Sequence, residues 1–212
     1  MRHEDVDQVT EIDRQAFPTQ WPPANYKHEM RNRLAHYIVA CDEDKPLQKE
    51  DVKQSPENGF SRLISGIKRL FGRDGLSHDR QASLIRHQVV GFIGFWVMAD
   101  EAHITSIAVR EDYRRQGIGE LLMVSVIDMA KEFKARIVTL EVRISNTGAQ
   151  HLYSRYGFNR VGVRKGYYTD NREDAVVMST DNISSVSYTE QFNELKQALS
   201  KRSGISLQKV RR

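Results

Sequence analysis

"YRRQGIGELLMVSVIDMAKEF", residues Tyr113 to Phe133, sets two arginines and two glycines ahead of a run with helical apolar spacing. Glycine inside a helix costs about 0.5–1 kcal/mol relative to alanine, so a pair at a helix entrance needs a reason. The first turn of a helix leaves about four backbone N–H groups without intrahelical partners, and the helix dipole favours negative charge there. The preceding stretch "AHITSIAV" (Ala102–Val109) reads as a strand, which makes the whole a strand–loop–helix unit suited to an anion. Gly117 and Gly119 would let a phosphate approach the main chain, with Arg114 and Arg115 adding charge at the rim. No Gly-Lys-Ser/Thr follows, so a P-loop is excluded, and "GIGELL" lacks the third glycine of the dinucleotide fingerprint. A plain helix-start turn is the other reading of the two glycines.

Outward from this unit, "VVGFIGFWVM" (Val89–Met98) is a buried strand that turns at Ala99–Glu101 into Ala102–Val109 as a hairpin. After the helix come a strand, "RIVTLEV" (Arg136–Val142), and a short helix around "GAQHLYSRY" stopped by Gly157. "FNRVGVRKGYY" and "AVVMS" form a last hairpin across "TDNRED". On the N-terminal side, Val6–Phe17 is an amphipathic helix ended by Pro18, and "YKHEMRNRL" reads as a second helix started by Pro22–Pro23. "YIVAC" (Tyr37–Cys41) is a short strand. Helices and strands alternate in the middle while hairpins flank them, which indicates an α+β fold with a mixed sheet.

Residues 42–87 shift to charged and polar composition and read as an insertion. Within it "FSRLISGIKRLFGR" (60–73) is a basic amphipathic helix, either lying over the domain's own apolar surface or meeting a membrane or partner. From Thr180 the chain is a polar, basic extension (180–212), with a helix expected near Tyr188–Ser200. The 212 residues are 39% hydrophobic and 28% charged, enough for one core. Net charge is +4, a mild bias towards anionic partners that selects none of them. One cysteine, Cys41, a polar acidic N-terminus and no apolar run of membrane length point to a cytoplasmic protein.

Arg114-x-x-Gly117-x-Gly119 resembles the pyrophosphate loop of the GNAT superfamily of acetyl-coenzyme A-dependent N-acyltransferases. "ITSIAVREDYRRQGIG" is similar to that family's strand–loop–helix as a whole. "LEVRISNTGAQHLYSRYGF" followed by "YYTDNREDAVVM" resembles one branch, the RimI-like protein N-terminal acetyltransferases, which includes ribosomal protein alanine acetyltransferases. The likeness is close from Ala102 to Ser179 and loose over the N-terminal helices. It implies a three-layer α/β/α fold with a mostly antiparallel mixed sheet, a catalytic domain spanning 1–179, and acetyl-coenzyme A as acetyl donor with no metal.

The resemblance also implies roles. The backbone of Ile107, Ala108 and Val109 would pair with the pantetheine arm, and a bulge in that strand would offer an N–H to the thioester oxygen. Backbone N–H groups of Arg115, Gln116, Gly117, Ile118, Gly119 and Glu120 would hold the pyrophosphate with Arg114 at its rim, and Asn146 would contact the donor, cap the following helix, or do both. Glu141, a carboxylate in an apolar strand, matches the general base; the residues alone equally allow a salt bridge to an arginine such as Arg143. Tyr153 matches the tyrosine that protonates the leaving sulfur, with helix-face packing as its other reading. Tyr167 and Tyr168 match residues that cover the acceptor peptide, and Phe17, Pro18 and Trp21 would form the opposite wall, unless they serve only packing.

An α-amino group with a pKa of about 8 is roughly one-tenth neutral at pH 7, whereas a lysine is neutral in only a few molecules per ten thousand. A single carboxylate base suits the easier amine. The resemblance points the same way and implies a protein or peptide N-terminus as acceptor, a ribosomal protein among the candidates. A small-molecule amine, a lysine, or a non-catalytic acyl-coenzyme A-binding role are the alternatives. Members of the family begin with a strand before the first helix, whereas here Met1 falls almost at the helix.

Overall fold

The computed structural model describes residues 1–19, 24–46, 87–203 and 210–211. The chain divides into two units, Met1–Cys41 with Val89–Arg212, and Asp42–Gln88. The first carries the core and the site. Of the second, the described residues belong to the ends of two strands. Residues 47–86, including the amphipathic stretch 60–73 and most of the insertion, lie outside the described residues, as does Trp21.

The elements run α1 (Val6–Ala16), α2 (Tyr26–Glu29), β1 (Ala35–Pro46), β2 (His87–Met98), β3 (Glu101–Val109), α3 (Ile118–Glu132), β4 (Ile137–Arg143), α4 (Thr147–Arg155), β5 (Phe158–Tyr168), β6 (Glu173–Thr180), α5 (Val186–Ser203) and β7 (Val210–Arg211). The strands form one seven-stranded sheet in the order β5-β6-β4-β3-β2-β1-β7. β3 and β4 run parallel, joined by α3 as the crossover, while β2–β3, β4–β6, β5–β6 and β1–β7 are antiparallel. The sheet is mixed with helices on both faces, so the α+β class and layering expected from sequence hold.

Strand alternation builds two cores. Ile38 and Ala40 of β1 join α3 and α5 on one face, while Val39 and Cys41 join Val6, Val9, Ile12 and Tyr26 on the other. Gly94 permits this packing: a Cβ there would lie 2.5 Å from the ring of Tyr37. α3 is buried on nearly every side, from Leu121 through Ile127, because the sheet covers one flank and α5 the other.

Three boundaries differ from the sequence expectation. The second helix is a single turn, capped by Asn25, whose side chain accepts from the His28 N–H, and followed by a turn in which Asn32 accepts from the Leu34 N–H. Residues 42–46 continue β1 and His87 opens β2, so the ends of the insertion are strand. The domain also does not end at residue 179. Ile183, Tyr188, Phe192 and Leu199 are buried in the main core, and the Tyr188 hydroxyl donates to the carbonyl of Tyr156 at 2.8 Å. The 180–212 stretch looked polar because only one stripe of α5 is apolar; that stripe seals α3. β7 then pairs with β1 through Val39↔Arg211 and Ala40↔Val210.

Candidate active site

β3 and β4 pair from Glu101↔Ile137 to Ile104↔Leu140 and then part. On its other side β3 carries a bulge: Gly94 faces Ser106 and Phe95 faces Ile104, leaving Thr105 extra. A bulge bends its strand and shifts the faces of later residues. Accordingly Ala102 and Ile104 point into one core, whereas Ala108 points into the other. Glu141 is the first β4 residue beyond the last β3 pair.

A cleft of about 1090 Å³ is lined by Ile107, Ala108, Val109, Arg114, Arg115, Gln116, Gly117, Gly119, Glu120 and Asn146, together with Phe17 from the end of α1. Gly148, Ala149, His151 and Leu152 of α4 also line it. The loop before α3 has left-handed backbone at Arg115 (φ 63°) and Gly117 (φ 88°), two residues apart. Such alternation turns successive N–H groups towards one side, as in anion-binding nests. Arg114 Nε donates to the carbonyl of Val109 and Gln116 Nε2 to that of Asp112, which fixes the loop to the end of β3. Gly119 needs no special backbone: a Cβ there would meet only Leu152, at 3.5 Å. Ile118, whose backbone N–H the sequence reading grouped with these residues, buries its side chain in the main core.

Asn146 has a double position, capping α4 by accepting from the Ala149 N–H at 3.1 Å while lining the cleft. Glu120 is drawn into a cluster: Oε1 accepts from Arg155 and Arg202, and Oε2 from the Tyr156 hydroxyl. Arg202 stands on α5, so the C-terminal helix contributes to the cleft lining, which the sequence reading did not foresee.

Glu141 is 6% exposed, with Oε1 3.0 Å from Arg164 and Oε2 3.2 Å from Nε2 of His103. The arginine partner is thus Arg164 of β5 and not Arg143. Ala175 of β6 is the residue paired with Arg164 on one side and Arg143 on the other, so the Arg164–Glu141 contact spans β6. Arg143 is engaged elsewhere, with Asp170 and Glu173, and its guanidinium lies 3.9 Å from the ring centre of Tyr168.

Tyr153 is buried in the main core and does not line the cleft. Burial, reinforced by the nearby Tyr168, pushes its phenol well above the usual range. Tyr168 is pushed up to about 12, chiefly by burial, with Arg143 opposing. It is near enough to feel Glu141 and Tyr153, so the three groups belong to one neighbourhood. Tyr167 is exposed and stacks edge-on against Tyr168. Pro18 sits exposed in the turn after α1, and the adjacent Thr19 hydroxyl donates to Asp170 at 2.7 Å. That bond ties the turn holding Phe17 and Pro18 to the β5–β6 turn beside Tyr168.

Sequence reasoning missed His103, Thr139 and Arg164. The period-two spacing of Glu101 and His103, and of Thr139 and Glu141, was the available signal, since it places each pair on one face of its strand; the His103↔Thr139 register then brings the two pairs together.

Residues 62–158 match the Acetyltransferase (GNAT) family. A Bacillus subtilis (strain 168) protein, provisionally named a ribosomal protein bS18-alanine N-acetyltransferase, is 35% identical over 84% of this chain and 90% of its own length. A Saccharolobus solfataricus N-alpha-acetyltransferase is 32% identical over 84% of this chain and 88% of that protein. Among solved structures, Arabidopsis thaliana NAA60 in complex with a bisubstrate analogue superposes with a TM-score of 0.60 at 18% identity, covering 85% of this chain and 95% of that one. That last likeness concerns the fold alone.

Proposed function

The chain belongs to the GNAT acetyltransferase family, and from that premise we propose that it transfers an acetyl group from acetyl-coenzyme A to the α-amino group of a protein N-terminus. The observation that carries the reading is the parting of β3 and β4 beyond Ile104↔Leu140, with Glu141 as the first residue past it. Opened strand edges of this kind accept an extended arm by main-chain pairing, which suits the pantetheine of the donor along Ile107–Val109. The left-handed loop and the N-terminus of α3 suit its pyrophosphate. The choice of an N-terminus over other amines draws on the two relatives with 35% and 32% identity, both named for that reaction.

In this reading Glu141 takes the proton of the attacking amine, held in place by Arg164 and His103. Tyr153, in the core beside the cleft and coupled through Tyr168 to the neighbourhood of Glu141, is the protonated phenol assigned to the departing sulfur. Tyr167 and Tyr168 from one side, and Phe17 and Pro18 from the other, flank the acceptor, with the Thr19–Asp170 bond joining the two walls. Among the described residues no cluster of metal-binding side chains occurs, and no helix is long and apolar enough to cross a membrane. A ribosomal protein N-terminus beginning with alanine is the acceptor we favour.

Coenzyme A release in the presence of alanine- and serine-starting peptides, compared with polyamines and aminoglycosides, tests the assignment. Turnover confined to the peptides is expected. Preference for a polyamine or aminoglycoside would overturn it.

A further inference from the structure

The last helix, α5, runs antiparallel along α3 and carries an arginine to the cleft. Three contacts mark its course: Lys131 Nζ donates to the Thr189 hydroxyl, Lys196 Nζ to Asp128 at 2.6 Å, and Arg202 Nη2 to Glu120 at 2.6 Å. Residue numbers rise along α5 as they fall along α3, so Arg202 arrives at the first turn of α3, beside the glycine loop. Arg155, in the last turn of α4, donates to the same Oε1 of Glu120 at 3.0 Å. Both arginines line the cleft. We propose that Arg155 and Arg202 form a phosphomonoester subsite that takes the 3′-phosphate of coenzyme A and selects the donor by that group. The proposal rests on the reading of the cleft as the acetyl-coenzyme A site.

Among the described residues the cleft lining holds four arginines, Arg114, Arg115, Arg155 and Arg202, against one carboxylate, Glu120. Arg114 and Arg115 belong to the loop whose main-chain N–H groups suit the pyrophosphate. The other two stand on separate helices and share a single carboxylate oxygen, which leaves the pair with one uncompensated positive charge. A guanidinium has five N–H donors, and each of these arginines gives one to Glu120, so most remain for a ligand. Both side chains are about half-exposed, so those donors face the open cleft and solvent and not the core.

Coenzyme A carries two kinds of phosphate with different needs. Its pyrophosphate lies within the chain of the molecule, whereas its 3′-phosphate is a monoester with a charge of about −1.5 to −2 at neutral pH and three terminal oxygens. A group so charged is best met by paired guanidinium ions, whose planar forks match phosphate oxygens. Glu120 holds the two arginines side by side against their mutual repulsion, and the Tyr156 hydroxyl donates to its second oxygen. Arg202 depends in turn on α5, which Phe192 and Leu199 anchor in the main core. The helix that seals α3 thereby also completes the donor site.

Isothermal titration calorimetry of the full chain with coenzyme A and with 3′-dephospho-coenzyme A, in the absence of any acceptor, tests the subsite. The dephospho compound keeps the pantetheine, pyrophosphate and adenosine, so the ratio of the two dissociation constants reads the 3′-phosphate alone. Wild type should bind coenzyme A about tenfold more tightly, in keeping with one charge-assisted contact. Arg202→Gln and Arg155→Gln should each cut that ratio to about threefold, half of the preference on a logarithmic scale, and the double variant should bind both ligands equally. Affinity for the dephospho compound should stay within about twofold of wild type throughout. Arg155→Gln, on α4, reads the same ratio should Arg202→Gln loosen α5. A wild-type ratio within about twofold of unity overturns the proposal, as do variants that keep the wild-type ratio or lose affinity for both ligands alike. Binding of neither ligand by wild type overturns the underlying reading as well, and differs visibly from equal binding of both.

Discussion

Arg164 and Glu141 meet at 3.0 Å although a whole strand, β6, separates the strands that carry them. The arginine is 56% exposed and the carboxylate 6%, so the contact is unequal. Removing the carboxylate releases an arginine into water at little cost. Glu141→Gln should therefore stay folded while kcat falls by about a hundredfold or more, the range for loss of a general base. Peptide acetylation rates and thermal unfolding measured together check this. Arg164→Gln leaves the buried carboxylate with His103 beside it and no arginine, and should lower stability by about 1–3 kcal/mol.

Gly117 and Gly119 should behave differently. Gly117 holds a left-handed backbone at the start of α3, and alanine there should cost about 1–2 kcal/mol in urea unfolding. Gly119→Ala meets only ordinary contact with Leu152, and alanine favours helix, so stability should hold or rise slightly. The added methyl enters the cleft, and a higher KM for acetyl-coenzyme A is expected in titrations of that donor.

Tyr153→Phe removes a hydroxyl that burial keeps protonated throughout the neutral range. The variant should lose roughly a hundredfold or more in kcat with peptide KM unchanged, the lower end of the span expected for a positioned acid. Leaving-group dependence separates this from a packing effect: a thioester with a more acidic thiol should recover much of the lost rate.

Glu173 has its carboxyl lowered to about 2, first by its hydrogen bonds to Ser145 and then by Arg143. A carboxylate with a depressed native pKa stabilises the fold above its ordinary unfolded value, near pH 4.3, and that contribution fades as pH falls through about 2. Urea midpoints of wild type and Glu173→Gln should thus differ at pH 6 and converge as pH drops from about 4.5 towards 2. A constant gap across that window would refute the assignment.

Phe192 on α5 tests whether the C-terminal helix belongs to the domain. It is 3% exposed within the main core, stacked near Tyr188 and under Lys131 and Lys196. Phe192→Ala should destabilise the whole protein by about 3 kcal/mol in a single unfolding transition. A separate early transition confined to α5 would instead mark it as an independent appendage.

Much of the fold was written in local patterns. The 3.6-residue periods of α1 and α3, the tight turn at Ala99–Asp100, and Gly157 with φ 83° after α4 all act within a few residues, so a linear reading finds them. The loop Arg114–Glu120 was legible for the same reason, since a helix start collects its exposed N–H groups in consecutive residues. Long-range choices were not. Whether α5 would fold back over α3, or a two-residue strand from the C-terminus would pair with β1, depends on surfaces far apart in sequence.

The acidic residue at 141 could be picked out by chain order alone, because a carboxylate among apolar neighbours must find a partner or a use. Which partner it found could not. Arg143 is two residues away and Arg164 twenty-three, yet the sheet hands Arg143 to Asp170 and Glu173 and brings Arg164 and His103 to Glu141. Neighbourhood along the chain fixes which side chains share a face; only the register of strands that meet across the sheet fixes which charges touch.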